Sequence, residues 1–365
     1  MQGSELIREL VDTAKRGLQK CYDRQTALFE NRITEAGMRP EKPGLLLTHS
    51  LISLLGISGY RDVEVDYDRS VDAIFRKTCQ TAGLRELSLL LWLLAKEKDG
   101  RAQEVFRRID KIPDDLIQNA ESMEIAWLLT ALVFELKRKE DRRIQQKLGD
   151  VFRVLESRFI PETGLFLHRT KNKLRDLRYG ISNFADQIYS IYALSLYYGL
   201  LKQDRSLDMA DQCALKITAL QGPQGQWWWH YNALTGDVHQ KYPVFSVHQD
   251  AMAPFALMSL NAVSKHDYSK FITAGLRWLD SNNELNAPMI HSGLNFIKRG
   301  IERKSLYANI HKLATLAFCV TSRKLSLPRY DHPEYLQVMN WEYSYHPGWV
   351  LYAFKKETED LWSKF

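Results

Sequence analysis

Two kinds of apolar segment alternate along the chain. The first is hydrophobic nearly all round, as in "SMEIAWLLTALVFEL" (122–136), "FADQIYSIYALSLYYGLL" (184–201), "HQDAMAPFALMSL" (248–260) and "LYANIHKLATLAFCV" (306–320). Helices of that kind belong inside a structure rather than on its surface. The second kind is amphipathic. In "RRIQQKLGDVFRVLESRF", Ile144, Leu148, Val151 and Leu155 follow the 4-3-4 spacing of one buried helical stripe. "DYSKFITAGLRWLD" repeats this with Ile272, Leu276 and Leu279.

Each unit therefore predicts one amphipathic helix, a connector and one fully buried helix. Superposing the buried helices on a shared small residue pairs Ala131, Ala193, Ala256 and Ala314, spaced 62, 63 and 58 apart. A fixed period means stacked copies of one supersecondary unit. About sixty residues is longer than the roughly 34–47 of common helical solenoids. A chain of 365 residues holds about six such units. Six helical hairpins closed in a circle put the buried helices inside and the amphipathic ones outside. The expected fold is all-α, an (α/α)6 toroid occupying residues 1–365 as a single domain.

The connectors repeat as well. One reads "TGLFLHRTKNKLRDLRYGISNFADQ" (163–187), the next "GQWWWHYNALTGDVHQKYPVFSVHQD" (225–250). Both begin with glycine and an aromatic run, pass through a turn-rich centre, and end in a carboxylate heading an apolar helix. Gly164 and Gly225 lie 61 apart, and Tyr179 and Tyr242 lie 63 apart. His168, His230 and His291 follow at 62 and 61, and Glu124, Asp186 and Asp250 at 62 and 64. Alternation around "NALTG" predicts a β-hairpin over the ring mouth.

The motifs "PETGLF" (161–166), "PQGQWWW" (223–229) and "YHPGW" (345–349), with the helix-pair period, make the chain resemble the (α/α)6 toroids. These include the six-hairpin glycosidase-like enzymes and the N-acylglucosamine 2-epimerase-like sugar isomerases. "HPG" before an apolar helix is similar to the C-terminal His-Pro-Gly of the epimerases, although Trp349 and Val350 stand where acidic residues follow there. The resemblance implies a hydrolase, lyase or epimerase acting on a sugar or a uronic-acid-containing glycan.

Within that frame the residues have two readings. A carboxylate at a helix start caps the free N–H groups of the first turn. At the inner-helix starts of a ring it also faces the cavity, where desolvation raises its proton affinity toward neutrality. Asp250, Asp186 and His248 are the acid–base candidates. Trp227, Trp228, Trp229, His230, Tyr242 and Trp349 are candidates for stacking and polar contact with a sugar. Tyr179, His291 and His346 join them by register and motif. On a strand, Trp227 and Trp229 would share one face and Trp228 the other. The basic loop "HRTKNKLRDLRYG" brings Arg178 to the same mouth to receive a uronate or phosphate.

Composition trims the alternatives. The net charge is +6, with basic and acidic residues interleaved, so nucleic acid is not an expected partner. No uncharged apolar run reaches about 18 residues, and the start "MQGSELIREL" lacks a secretory pattern. Cys21, Cys79, Cys213 and Cys319 form no CxxC pair, which predicts reduced thiols and a cytoplasmic setting. Histidine spacing gives no metal set, and no cofactor is expected. Two other functions share the architecture. "QGPQGQWWW" looks like the Gln-Trp repeats of terpenoid cyclases, but the chain has no DxDD run. A non-catalytic toroid binding a glycan or protein through its aromatic mouth is the third.

Overall fold

Fully apolar and amphipathic helices alternate in space as they do in sequence. The computed structural model describes residues 3–29, 31–40, 46–81, 83–170, 179–305, 307, 331–355 and 362. Its helices are α1 (Gly3–Cys21), α2 (Leu46–Ile57), α3 (Tyr67–Thr81), α4 (Leu84–Lys96), α5 (Ala102–Asp110), α6 (Asp114–Asn119) and α7 (Ser122–Arg138). They continue with α8 (Arg142–Glu156), α9 (Phe184–Leu201), α10 (Asp204–Ala219), α11 (Ala253–Asn261), α12 (Ser269–Leu279) and α13 (Tyr345–Ala353). A π-helical turn, His248–Met252, leads into α11.

The inner helices close a circle: α2 packs on α4, α4 on α7, α7 on α9, α9 on α11, α11 on α13, and α13 on α2. Outside them, α3, α5, α8, α10 and α12 each back an inner helix, and α1 backs α13. The chain is thus an (α/α)6 toroid. The predicted stripe of α8 is buried at Ile144, Leu148, Val151 and Leu155. The segment 306–320 lies outside the described residues apart from Tyr307. Tyr345–Ala353, which begins with the "YHPGW" motif, takes the sixth inner place.

Among the described residues, aromatic side chains pack together in the middle of the ring. Trp92 of α4, Tyr189 and Tyr192 of α9, Phe255 of α11, and Trp349 and Tyr352 of α13 meet on its axis. Centroid separations in this cluster run from 4.9 to 6.3 Å, the range of favourable ring pairs.

Short strands stitch the connectors sideways around one rim. Residues 181–183 pair with 230–232, which pair with 237–240. Residues 300–303 lie between 244–245 and 336–339. Residues 31–34 lie between 37–40 and 341–342. Each sheet joins connectors from successive helix pairs, so loops remote in sequence are held over the same opening.

Candidate active site at the ring mouth

That opening is a cavity of about 360 Å³, within the usual range for small-molecule sites. Every inner helix contributes its first or second turn: His49 from α2, Arg85 from α4, Trp127 from α7, Tyr189 from α9, Met252 ahead of α11, and Tyr345 and Trp349 from α13. The connectors add Asn183, Trp229, Phe245, Val247, Arg299 and Tyr343, and the π-turn adds His248. The first turns of five inner helices and the π-turn before α11 thus border one space, and helix N-termini concentrate positive partial charge there. A larger concavity of about 420 Å³ between α6 and α8 is lined by Asp114, Lys147, Asp150 and Arg153, without an aromatic or histidine side chain. Convergent chemistry is found at the ring mouth.

Arg299 is the cation of this space. Its guanidinium lies 4.6 Å from the ring centre of Phe245, 4.8 Å from Trp341, 4.7 Å from Tyr343 and 5.7 Å from Tyr345. Nη1 donates to Tyr345 Oη at 3.0 Å. No carboxylate among the described residues pairs with it. Arg85, by contrast, is bound to Glu124 at 2.9 Å.

His248 is 2% exposed. Its ring stacks on Trp229 with centroids 5.8 Å apart and an interplanar angle of 13°, and it touches Phe184 at 4.6 Å. Nδ1 has no hydrogen-bond partner. Burial, aided by the nearby Arg299 charge, pushes its pKa down to about 3, so the imidazole is neutral near pH 7.

Asp250 and Asp186 stand behind the wall rather than in it. Asp250 faces His346, whose Nε2 is 2.9 Å from each carboxylate oxygen, while His346 Nδ1 is 3.2 Å from Glu342 Oε1. All three side chains are buried. Burial raises the Asp250 carboxyl above its ordinary range, and His346 opposes the rise. Asp250 does not stand at an inner-helix start, as its spacing from Pro254 suggested, because the π-turn begins two residues earlier.

Asp186 joins two helix starts. Its Oδ2 accepts the Asn183 N–H at 2.9 Å, and its Oδ1 accepts the Met123 N–H of α7 at 3.1 Å. His168 Nδ1 lies 2.9 Å from Oδ2. This is a capping box extended to a neighbouring helix.

The three tryptophans lie outside any strand and divide differently from the predicted alternation. Only Trp229 lines the cavity. Trp227 is buried against Phe184. Trp228 donates its Nε1–H to the Leu220 carbonyl and meets Tyr242 edge-on. Tyr242 is committed to Glu284 at 2.9 Å. His230 lies 3.1 Å from Gln240 Oε1, within its own hairpin, and His291 stacks on Phe296. The Tyr179 carbonyl accepts the His168 N–H. Arg178 lies outside the described residues. Of the sequence-derived set, the cavity wall unites His248, Trp229 and Trp349, with Asp250 and His346 directly behind.

Sequence reasoning missed Arg299, Arg85, His49, Tyr345 and the pair Trp127 and Tyr189. The last two carried a signal: they are 62 apart, each three residues after a register carboxylate. Among the described residues no carboxylate lines the cavity. Among the described residues no group of three or more His, Cys, Asp or Glu could hold a metal ion, and no helix of these residues is long and apolar enough to cross a membrane.

No family model matches the chain, and no curated protein matches it. Solved structures do. An unsaturated glucuronyl hydrolase specific for heparin superposes with a TM-score of 0.63 at 13% identity, covering 99% of this chain and 98% of that one. A possible member of the GH105 family from Salmonella enterica gives 0.61 at 12% identity, with 99% and 95% covered. An unsaturated glucuronyl hydrolase from Streptococcus agalactiae gives 0.61 at 12%, with 96% and 92% covered. At these identities the likeness is one of fold, the (α/α)6 toroid.

Proposed function

We propose that this protein is a carbohydrate-active enzyme of glycosidase-like type whose ring mouth takes the uronate unit of a glycan. One observation carries the reading: the guanidinium of Arg299, unpaired with any described carboxylate, faces a cavity walled by Trp127, Trp229 and Trp349. Indole faces stack on the C–H faces of a pyranose, and a planar guanidinium matches a carboxylate in two parallel hydrogen bonds. The inner-helix N-termini add to the attraction for an anion. The neighbours' activity toward unsaturated glucuronyl groups supports the same substrate class.

Among the acid–base candidates drawn from sequence, His248 touches the cavity and Asp250 stands behind it on His346. The committed oxygens of Asp186 favour capping. Calorimetric titration with glucuronate, galacturonate, glucose and a prenyl diphosphate tests the reading. Binding of the uronates well above glucose is the expected result, whereas binding of the diphosphate alone would favour cyclase-type chemistry.

A further inference from the structure

Resting on the uronate reading, the residues of the cavity wall bear on how the glycosidic bond is broken. Hydrolysis by the common carboxylate pair needs two carboxyl groups facing the scissile bond, about 5–10 Å apart. The nearby carboxylates are otherwise engaged: Asp186 with two helix starts, Asp250 with His346, and Glu124 with Arg85. The wall instead holds the phenols Tyr189, Tyr343 and Tyr345, the guanidinium groups of Arg85 and Arg299, the imidazoles of His49 and His248, and the amide of Asn183.

We propose that the ring mouth cleaves a 4-linked uronate by β-elimination, with Tyr345 carrying the proton and Arg299, His248 and Asn183 holding the uronate carboxylate. The C5 proton of a uronate is α to its carboxylate, so removing it drives further negative charge onto those oxygens. Donors on the same cavity wall that meet that charge lower the barrier. Asn183 Oδ1 accepts the Asp186 N–H at 2.8 Å, which orients the amide, and its Nδ2 has no partner among the described residues. Tyr345 Oη accepts from Arg299 Nη1, and the four rings around that guanidinium hold the pair in place.

The step balances without water or cofactor. Tyr345 Oη, entering the step with its own proton released, takes the C5 proton, and the C5–H electron pair becomes the C4=C5 double bond. The C4–O bond breaks with its pair on the leaving oxygen, and Tyr345 returns the proton there. The products are a 4,5-unsaturated uronate and a free hydroxyl.

The test uses the full chain with polygalacturonate, hyaluronan and heparin as probes. It follows the ultraviolet absorbance of the conjugated alkene, new chain ends and calorimetric binding. The expected result is alkene absorbance rising in step with new ends on at least one probe. Tyr345→Phe should then slow this by about 10²-fold or more, the scale of a lost acid–base group, while binding persists. New reducing ends without the alkene, or binding without cleavage, would overturn elimination and leave the uronate reading standing. Failure to bind any of the three would remove both. Alkene formation undiminished in the Phe variant would overturn the assignment of Tyr345.

Discussion

Gly56 of α2 and Gly348 of α13 touch backbone to backbone: a Cβ on Gly56 would sit 2.1 Å from the Gly348 carbonyl oxygen. Here the last inner helix meets the first and the ring closes, reinforced by Ser53 Oγ donating to the Ser344 carbonyl at 3.0 Å. The "HPG" of "YHPGW" thus has a structural role, with His346 reaching Asp250 and Gly348 permitting the approach. Gly56→Ala must push α13 away, because the opposing atom is backbone and cannot rotate aside. The expected cost is about 2–3 kcal/mol, toward the upper part of the range for overpacking, read as a lower urea midpoint. An unchanged midpoint would mean the two helices separate freely.

The adjacent tryptophans should respond oppositely to truncation. Trp227 is fully buried, so Trp227→Ala should lose about 3–5 kcal/mol of stability. Trp229 is half-buried in the cavity wall, and Trp229→Ala should weaken uronate binding at much smaller cost in stability. Thermal melting and calorimetry on the two variants separate the effects. A binding loss confined to Trp227→Ala would place the ligand elsewhere.

The helix-pair period was legible because inner helices are apolar all round and recur at a nearly constant interval. Convergence of the connectors followed from ring closure. The inward-facing residues were harder to find, since hydrophobic pattern reports burial without saying which buried side meets the axis. Trp227 and Trp229 are neighbours in sequence, yet only the second reaches the cavity. Arg299 gave no repeat signal because it stands eight residues past His291, where the preceding connector has Val238 eight past His230. Asp250 read as standing at a helix start, capping it or facing the cavity, because Pro254 marks a first turn, but the π-turn starts earlier and Asp250 meets His346.

The buried carboxyls give the fold a pH signature. Burial raises Glu342 well above 4.5 and Asp250 above 3.8. An acid that holds its proton more tightly when folded contributes stability that is full below its unfolded pKa and lost as pH rises through the folded one. Glu342→Gln keeps an acceptor for the Ile297 N–H, which Glu342 Oε2 now accepts at 3.2 Å, but cannot ionise. Wild type should therefore lose ground to this variant as pH climbs from about 4.5, the ordinary value for a glutamate. Urea unfolding across a pH series checks this, and parallel stability curves would contradict it.

Arg299 and Arg85 both line the cavity, but their states differ, and so should the effects of losing them. Arg85 is already neutralised by Glu124 at 2.9 Å, so Arg85→Ala should change uronate affinity little. Arg299 has aromatic faces around it and one side-chain hydrogen bond, to Tyr345 Oη, and pairs with no described carboxylate, so its charge remains available to a ligand. Hydrogen bonds to a charged group contribute about 1.5–3 kcal/mol, so Arg299→Ala should weaken uronate binding by about 10- to 100-fold. Arg299→Lys should recover only part of this, because an ammonium carries the charge without the planar fork or the stacking. Calorimetric Kd values for the three variants, set against melting temperatures, decide the matter. Equal losses at the two arginines would mean that the charge of the mouth as a whole, rather than Arg299, recognises the ligand.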